Sequence, residues 1–304
     1  MSERSQLPAR DRVLVEDALK YLYHCVERGL TPAATELAES EKISLAEANR
    51  VLTMLVAAGL VREGQLTERG RSYALQVIRA HRLYETYLAQ ETGYDPRRWH
   101  RRAHDKEHWL SADEVNELAQ RLGHPRFDPH GDPIPTAEGH LPKELGTRLS
   151  DWPVGKPARV LHIEDEPEAV YAQLVALGWV PGLVVRVLSA TAQRLMIEIE
   201  GQQQMLAPAM AAHITVTEAP AEALLAKAIP LSQQRIGQRC RVVQLSPRCR
   251  GPERRRLMDL GFVPGTMVEV ELRSALGDPT AYRLRETLVA LRREQAEWVL
   301  VEPV

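Results

Sequence analysis

Donor side chains for a metal ion are concentrated in one short stretch, Trp99 to Trp109 (WHRRAHDKEHW). Its histidines recur at four-residue intervals, with Glu107 beside the last of them: His100, His104 and His108. Residues four apart lie on one face of a helix, so the three imidazoles are predicted to form a single column. The alternative interpretation is a polar, solvated helix in which histidines happen to recur.

A second pair of donors precedes this stretch. The segment HRLYE places His81 and Glu85 at the same four-residue spacing. Two helices that each present a nitrogen donor and a carboxylate can close around a divalent transition metal. Because the spacing repeats in two adjacent segments of a chain with 10 histidines in 304 residues, metal binding is favoured over coincidence.

Composition narrows the class of protein. A chain of 304 residues, 44% hydrophobic, is long enough for several packed domains. The formal net charge of −2 excludes a globally basic nucleic-acid binder, so any DNA contact must come from a local patch. The 3 cysteines lack CxxC spacing, as in a reduced cytosol. With no long apolar run and no signal-peptide pattern, the expectation is a cytoplasmic protein without membrane insertion.

Residues 1–75 have the element order of a winged helix-turn-helix domain. A helix from Val13 to Glu27 is followed by a short second helix, with Thr31 as its predicted N-cap. Ser44-Leu-Ala-Glu47 is a capping box that starts a third helix, predicted to turn Leu45, Ala48, Val51, Leu52 and Leu55 inward. The following LVREGQLTERGR predicts a hairpin that turns at Gly64.

The third helix is the candidate for the DNA major groove. Its N-terminal part offers Ser44, Asn49 and Arg50, and Asn and Arg side chains can read base edges. The alternative is that these polar groups are simply solvated, since Glu47 faces where a phosphate would lie.

Residues 76–148 read as a helical domain that carries the metal ligands. The helix Tyr73–Thr92 precedes the histidine-rich stretch, and Ser111-Ala-Asp-Glu114 is a capping box for another helix. The proline-rich Pro125–Pro142 predicts an irregular connection.

The C-terminal half contains a duplication, over residues 149–219 and 230–304. LGWVPG at 177–182 recurs as LGFVPG at 260–265, each after a helical segment and before alternating apolar residues. Short strands with Pro-Gly turns predict two small barrels, and residues 219–229 predict a linker. The expected fold class is therefore α+β and multidomain.

Residues 13–142 resemble the diphtheria-toxin-repressor (DtxR/MntR-like) family of metal-dependent transcriptional regulators. The resemblance rests on VEDALKYLYHCVERG, AGLV, LTERGR, HRLYETYL, WHRRAHDKEHWLSADEV and LGHPRFDPHGDPIP. ERRRLMDLGFVPGTMVEV, LGDP and LVALRREQAEWVLVEP resemble the FeoA domain, an SH3-like barrel associated with ferrous iron transport. The first copy is similar but divergent, and lacks LGDP.

The resemblance implies two metal sites. One resembles the family's regulatory site and consists of Asp17, His104, Glu107 and His108. The other resembles its ancillary site and consists of His81, Glu85 and His100. His104 departs from the family's usual cysteine or glutamate. Lys20 stands where manganese-type members can have a further carboxylate ligand, which argues against a closely spaced pair of manganese ions. An acid of the first FeoA-like copy can complete the ancillary site, and four are available: Glu164, Asp165, Glu166 and Glu168.

The resemblance also implies a function. We expect a homodimeric repressor of metal-uptake genes that binds double-stranded DNA at a palindromic operator in response to Fe(II) or Mn(II), with Zn(II) also compatible with the donors. The helix Tyr73–Thr92 is expected at the dimer interface. The alternative is an accessory protein whose FeoA-like domains bind a ferrous iron transporter or another partner. For Arg254–Arg256 a partner patch and a solvated helix face both remain open. We expect no enzymatic activity, because the ligand sets leave no open coordination position.

Overall fold

In a computed structural model, the described residues are 9–142, 146–219 and 228–304. They form two compact units. The first consists of residues up to 87, 98–128 and 133–142, and the second of the remaining described residues. The predicted linker 219–229 lies mostly outside the described residues, which stop at 219 and resume at 228.

The first unit begins with three helices and a short hairpin: α1 Ala9–Arg28, α2 Ala34–Ser40, α3 Leu45–Ala57, β1 Val61–Arg62 and β2 Gln65–Leu66. Gly64 turns the hairpin at φ +77°, in the left-handed region that glycine tolerates. The helices bury one apolar core that includes Leu19, Leu37 and Leu55. This is the predicted winged helix-turn-helix arrangement.

Two local predictions in this region are wrong. The N-cap of α2 is Ala33, without a side-chain hydrogen bond, and not Thr31. Leu45 is 48% exposed, although it was predicted to face inward. Leu45 is the first residue of α3, where the helix extends past the core formed by Ala48, Val51 and Leu55.

Three further helices follow: α4 Glu68–Glu91, α5 Trp99–Glu107 and α6 Ala112–Arg121. Ser111 caps α6 through the predicted capping box. A small apolar cluster joins α4 to α6 through Ala80, Leu83, Val115 and Ala119. Several apolar residues of α4, the helix expected at the dimer interface, are buried within one chain: Leu75, Ile78, Leu83 and Leu88.

The second unit contains two antiparallel sheets. The strands of the first are β3 Thr147–Arg148, β4 Pro157–Ile163, β5 Val184–Ala190, β6 Leu195–Ile199, β7 Gln202–Leu206 and β8 Ile214–Glu218, in the order β3-β8-β4-β5-β6-β7. Two helices accompany them, α7 Glu168–Ala176 and α8 Pro208–Ala211. Trp179 and Leu174 are fully buried in the core beneath this sheet.

The second sheet repeats the first. Its strands are β9 Ile229–Pro230, β10 Arg239–Leu245, β11 Met267–Arg273, β12 Thr280–Leu284, β13 Thr287–Leu291 and β14 Val299–Pro303, in the order β9-β14-β10-β11-β12-β13. Its helices are α9 Gly251–Asp259 and α10 Arg293–Glu297. β4 and β10 carry β-bulges at equivalent positions, Val160/His162 and Val242/Gln244. The duplication is therefore one of topology as well as of sequence.

The two predicted small SH3-like domains are present, but over the described residues their sheets are not closed into barrels. In both sheets the first and last strands of the order are not hydrogen-bonded to each other among the described residues. Each sheet packs on a core to which its own helices contribute, so an apolar interior forms without closure. The FeoA-like fold is otherwise as expected.

One arginine of α9 makes contacts inside the second unit, to which the last residues of α4 also belong. Arg255 donates to the backbone oxygen of Gln90 at 2.6 Å and lies 3.6 Å from the Glu91 carboxylate. Carbonyl oxygens at the end of a helix lack helical partners, and a guanidinium can satisfy them. Arg255 therefore has a structural role, while a partner patch at this helix remains a prediction.

Within the part of the chain that the structure describes, none of the helices combines the length and the apolar character needed to cross a membrane.

Candidate metal centre

Four side chains from two helices converge in the first unit. Asp17 comes from α1, while His104 and Glu107 come from α5 and His108 caps its end. One potential ligand atom from each lies within 4.8 Å of the others. The His108 Nε2 atom is 3.3 Å from Asp17 Oδ1 and 3.5 Å from Glu107 Oε1. The His104 Nδ1 atom is 3.8 Å from Asp17 Oδ1 and 3.6 Å from Glu107 Oε1.

These spacings suit a bound cation. Ligands about 2.1 Å from a tetrahedral metal ion lie about 3.4 Å from one another. Asp17 Oδ1 and His108 Nε2 are buried and face each other at 3.3 Å, and neither has a hydrogen-bond partner elsewhere. Buried polar atoms are nearly always satisfied, so the pair is held either as an ion pair with protonated His108 or by a cation that both atoms ligate. The donor set of two carboxylates and two imidazoles therefore fits a divalent transition metal.

A lysine is part of the same cluster. Lys20 Nζ, one turn along α1 from Asp17, lies 2.8 Å from Glu107 Oε1 and 3.1 Å from Oε2. Burial opposes the charge of both groups. Their mutual attraction nevertheless raises the pKa of Lys20 and holds the pKa of Glu107 well below its ordinary value.

A further layer of contacts orients His108. Its Nδ1 atom lies 2.8 Å from the Glu16 carboxylate, and Glu16 accepts a 2.7 Å hydrogen bond from the Tyr73 hydroxyl. A carboxylate on one imidazole nitrogen fixes the ring so that the other nitrogen is presented to a metal. Glu16 was not among the residues predicted from the sequence. Its signal was a carboxylate on the apolar stripe of α1, three residues before Leu19.

The electrostatic state of His108 follows from these neighbours. Burial lowers the pKa of its imidazole, but the facing carboxylates of Asp17 and Glu16 outweigh burial and raise it to about 9. Without a metal, His108 is therefore protonated at neutral pH.

We expect the affinity of this group for Mn(II) to rise about tenfold per pH unit between about pH 6 and pH 8, because a metal must displace the His108 proton. Calorimetry near pH 7.5, in buffers of different ionisation enthalpy, should show release of about one proton per ion.

The matched background is His100→Ala, which disables the second ligand group without touching Glu107. An affinity independent of pH in that background would contradict the protonated state of His108.

The second ligand group lies on α4 and α5. Glu85 Oε1 is 3.2 Å from His81 Nε2 and 3.5 Å from His100 Nδ1. His81 and Glu85 are buried, while the His100 side chain is half exposed. The Nδ1 atom of His81 makes a short contact with Glu107 Oε2, so Glu107 touches both groups. The shared role of this carboxylate could not be predicted from the sequence, because it depends on how α4 packs against α5.

The acidic run considered for the ancillary site follows β4 in the second unit. A carboxylate oxygen of Asp165 and a ring nitrogen of His130 lie within 4.8 Å of each other there. His130 is buried and packs on the Tyr171 ring at a centroid distance of 5.0 Å. Whether Glu164, Asp165, Glu166 or Glu168 completes the ancillary site stays a prediction.

The candidate DNA-contacting residues lie where α3 begins, and each has a partner within the domain. Ser44 Oγ is held in the capping box with Glu47. Asn49 Nδ2 donates to the backbone oxygen of Leu45 at 2.9 Å. Arg50 Nη1 lies 2.9 Å from Asp11 Oδ1 of α1. Their assignment as base or phosphate contacts stays a prediction, and Arg50 must exchange Asp11 for DNA to fulfil it.

Glu41 is a residue that the sequence analysis did not select. It follows α2 in the turn before α3. Burial raises the pKa of its carboxyl, and the nearby Asp17 carboxylate raises it further. The charge of Asp17 therefore affects the carboxyl group of Glu41, in the turn that leads to the candidate DNA-reading helix.

A winged helix joined to a buried carboxylate–imidazole cluster is the arrangement expected of a metal-responsive DNA-binding protein. Residues 67–136 match the family model "Iron dependent repressor, metal binding and dimerisation domain", and residues 147–218 and 229–303 each match the FeoA domain. The chain is 29% identical over 221 residues to the iron-dependent repressor IdeR of Mycobacterium leprae, which covers 66% of this chain and 94% of that protein. It is 32% identical over 138 residues to the diphtheria toxin repressor of Corynebacterium diphtheriae, with 44% and 59% covered.

Solved structures agree. A manganese-dependent transcriptional repressor in complex with manganese is similar with a TM-score of 0.63 and 30% identity, covering 67% of this chain and 100% of that one. The chain therefore belongs to the diphtheria-toxin-repressor family of metal-dependent transcriptional regulators, extended by two FeoA domains. The family resemblance stated from the sequence is confirmed.

Proposed function

We propose that the chain is a metal-dependent transcriptional repressor of metal-uptake genes, with Fe(II) as its first metal and Mn(II) as its second. Its relatives are named as iron-dependent and manganese-dependent repressors. The same relatives lend no support to the accessory-protein alternative, and they favour a regulatory over a catalytic role.

One observation carries the mechanism. Of the four donors in the first group, Asp17 belongs to the winged helix, while His104, Glu107 and His108 belong to α5 or its end. An ion held by these residues would form bonds to both helices at once. It would therefore stabilise the arrangement in which α1 and α5 are close over any arrangement in which they separate. Only this difference in free energy can shift the chain toward a DNA-binding conformation.

The donor types restrict the metal without choosing it. Carboxylate and imidazole donors suit Fe(II), Mn(II) and Zn(II), and intrinsic affinity alone would place zinc first. Our preference for iron rests on the two FeoA domains and on the iron-dependent relatives. We assign Asp17, His104, Glu107 and His108 to the regulatory site, and His81, Glu85 and His100 to the ancillary site.

For the partners we propose a homodimer on a palindromic operator. Residues 67–136 match a family model that is itself described as a dimerisation domain. A two-fold dimer of winged helices would place its two α3 helices in half-sites about one helical turn, or a multiple of it, apart. Ser44, Asn49 and Arg50 are the proposed contacts.

The test is fluorescence anisotropy on DNA from upstream of the protein's own gene, across an anaerobic Fe(II) or a Mn(II) titration. We expect DNA affinity to rise about 5- to 150-fold with metal, the usual range of an allosteric coupling.

A scrambled DNA of equal length is the control, and sedimentation of the complex should give two chains per operator. DNA binding that is equally strong in the presence of chelator would refute metal-dependent repression.

A further inference from the structure

The ligand group already contains a cation, the ammonium of Lys20. Its side chain is only 14% exposed and that of Glu107 is fully buried. The ammonium contacts both oxygens of the carboxylate, at 2.8 and 3.1 Å. Lys20 is therefore bound directly to a candidate metal ligand.

The geometry makes this ammonium a neighbour of any bound ion. Glu107 Oε1 is also the oxygen that lies 3.5 Å from His108 Nε2 and 3.6 Å from His104 Nδ1. An ion on that oxygen would be within roughly 5 Å of Lys20 Nζ, given metal–oxygen distances of about 2.1 Å. Two cations at that separation in a partly buried site repel each other appreciably.

The same contacts occupy the second carboxylate oxygen of Glu107. Its Oε2 atom faces Lys20 Nζ and His81 Nδ1, which leaves Oε1 alone directed at the first ligand group. A second divalent ion that shared Glu107 would have to take the place of the ammonium or of the His81 ring.

We propose that Lys20 is a resident cation that weakens the affinity of this centre for divalent metal and restricts it to a single ion at Glu107. This inference deepens the proposed function, because a repressor with lower affinity responds at a higher metal concentration. The competing role is one in which Lys20 only neutralises Glu107 and holds it in place. The two roles predict opposite changes in metal affinity when Lys20 is replaced. Loss of a repelling charge tightens metal binding, whereas loss of a positioning contact weakens it.

The first experiment is Mn(II) calorimetry on the full chain without DNA, in a His100→Ala background so that only the first group is filled. Lys20→Met, which removes the charge and keeps much of the side-chain length, should bind about tenfold tighter or more. Lys106→Met is the matched control, since it removes the same charge from an exposed position next to Glu107 on α5.

Unchanged or weaker binding by Lys20→Met would overturn the proposal. Should Lys20→Met fail to fold, Lys20→Gln carries the same test, because it loses the charge but keeps an N–H donor for Glu107.

The second experiment addresses the number of ions. In the same background, wild-type Lys20 should give one Mn(II) per chain with the electron paramagnetic resonance spectrum of an isolated ion. Lys20→Glu, which replaces the ammonium with a carboxylate, should bind a second ion and give an exchange-coupled spectrum. A coupled pair with Lys20 in place, or a single isolated ion in Lys20→Glu, would refute the restriction to one ion. These readouts involve no DNA, so their failure is distinct from a failure of metal-dependent repression.

Discussion

Asp17→Asn is expected to abolish most of the metal-stimulated DNA affinity, about 10- to 100-fold, while the His81 group still binds metal. Asp17 is the only proposed ligand on α1, and its Oδ1 atom lies 3.3 Å from His108 Nε2. An amide oxygen is a poorer ligand than a carboxylate for these cations. The substitution keeps the side-chain shape, so it removes the bond between the winged helix and α5 without disturbing the candidate DNA contacts on α3.

The measurement is anisotropy on an operator fragment across a Mn(II) or anaerobic Fe(II) titration. Glu27→Gln is the matched control, since it removes one negative charge from the same helix at a half-exposed position beside His24. A metal response in Asp17→Asn equal to that of the wild type would mean that the two helices are linked through another residue.

Glu107→Gln is expected to have the wider effect, weakening metal binding in both ligand groups and making DNA binding independent of metal. Its carboxylate is a proposed ligand of the first group and contacts the His81 ring of the second. Loss of a carboxylate that orients a metal-binding histidine typically costs about 10- to 100-fold in affinity. His108→Gln, in contrast, should weaken the first group alone.

Calorimetry with Mn(II) on the two variants separates these outcomes, and circular dichroism should show that both remain folded. Asp105→Asn, an exposed carboxylate on the same helix, is the control for the loss of charge. If Glu107→Gln weakens only one of the two groups, the shared role of this carboxylate is wrong.

Local sequence patterns determined much of this protein. The four-residue spacing of His81 with Glu85 and of His104 with His108 is a property of a single helix, so it identified the donors without knowledge of the fold. Ser44 and Ser111 start their helices through capping boxes that span only four residues each, and both form as predicted. The repeated LG[WF]VPG segments fixed the end of α7 and α9 and the turn that follows, again within a few residues.

Helical periodicity gave a wrong prediction of burial where the outcome depends on a neighbouring element. The helical pattern gives the angular position of Leu45, but whether that position is covered depends on how far α1 and α2 extend beside α3, and there Leu45 is 48% exposed. Closure of the predicted small barrels was undetermined for a similar reason, since alternating apolar residues identify strands but do not decide whether the first and last strands meet.

The centre itself shows where sequence alone reaches its limit. Its donor types could be read from the chain, but only the tertiary fold brings Asp17 of α1 to within 3.3 Å of His108 at the end of α5. No sequence motif ties Glu16, Tyr73 or Lys20 to α5. Lys20 contacts Glu107 across 87 residues of sequence and Glu16 contacts His108 across 92. Tyr73 in turn contacts Glu16 across 57. Long-range packing decided which buried charges face each other. In a medium where unpaired charges are costly, those pairings set the protonation of His108 and the cation held on Glu107.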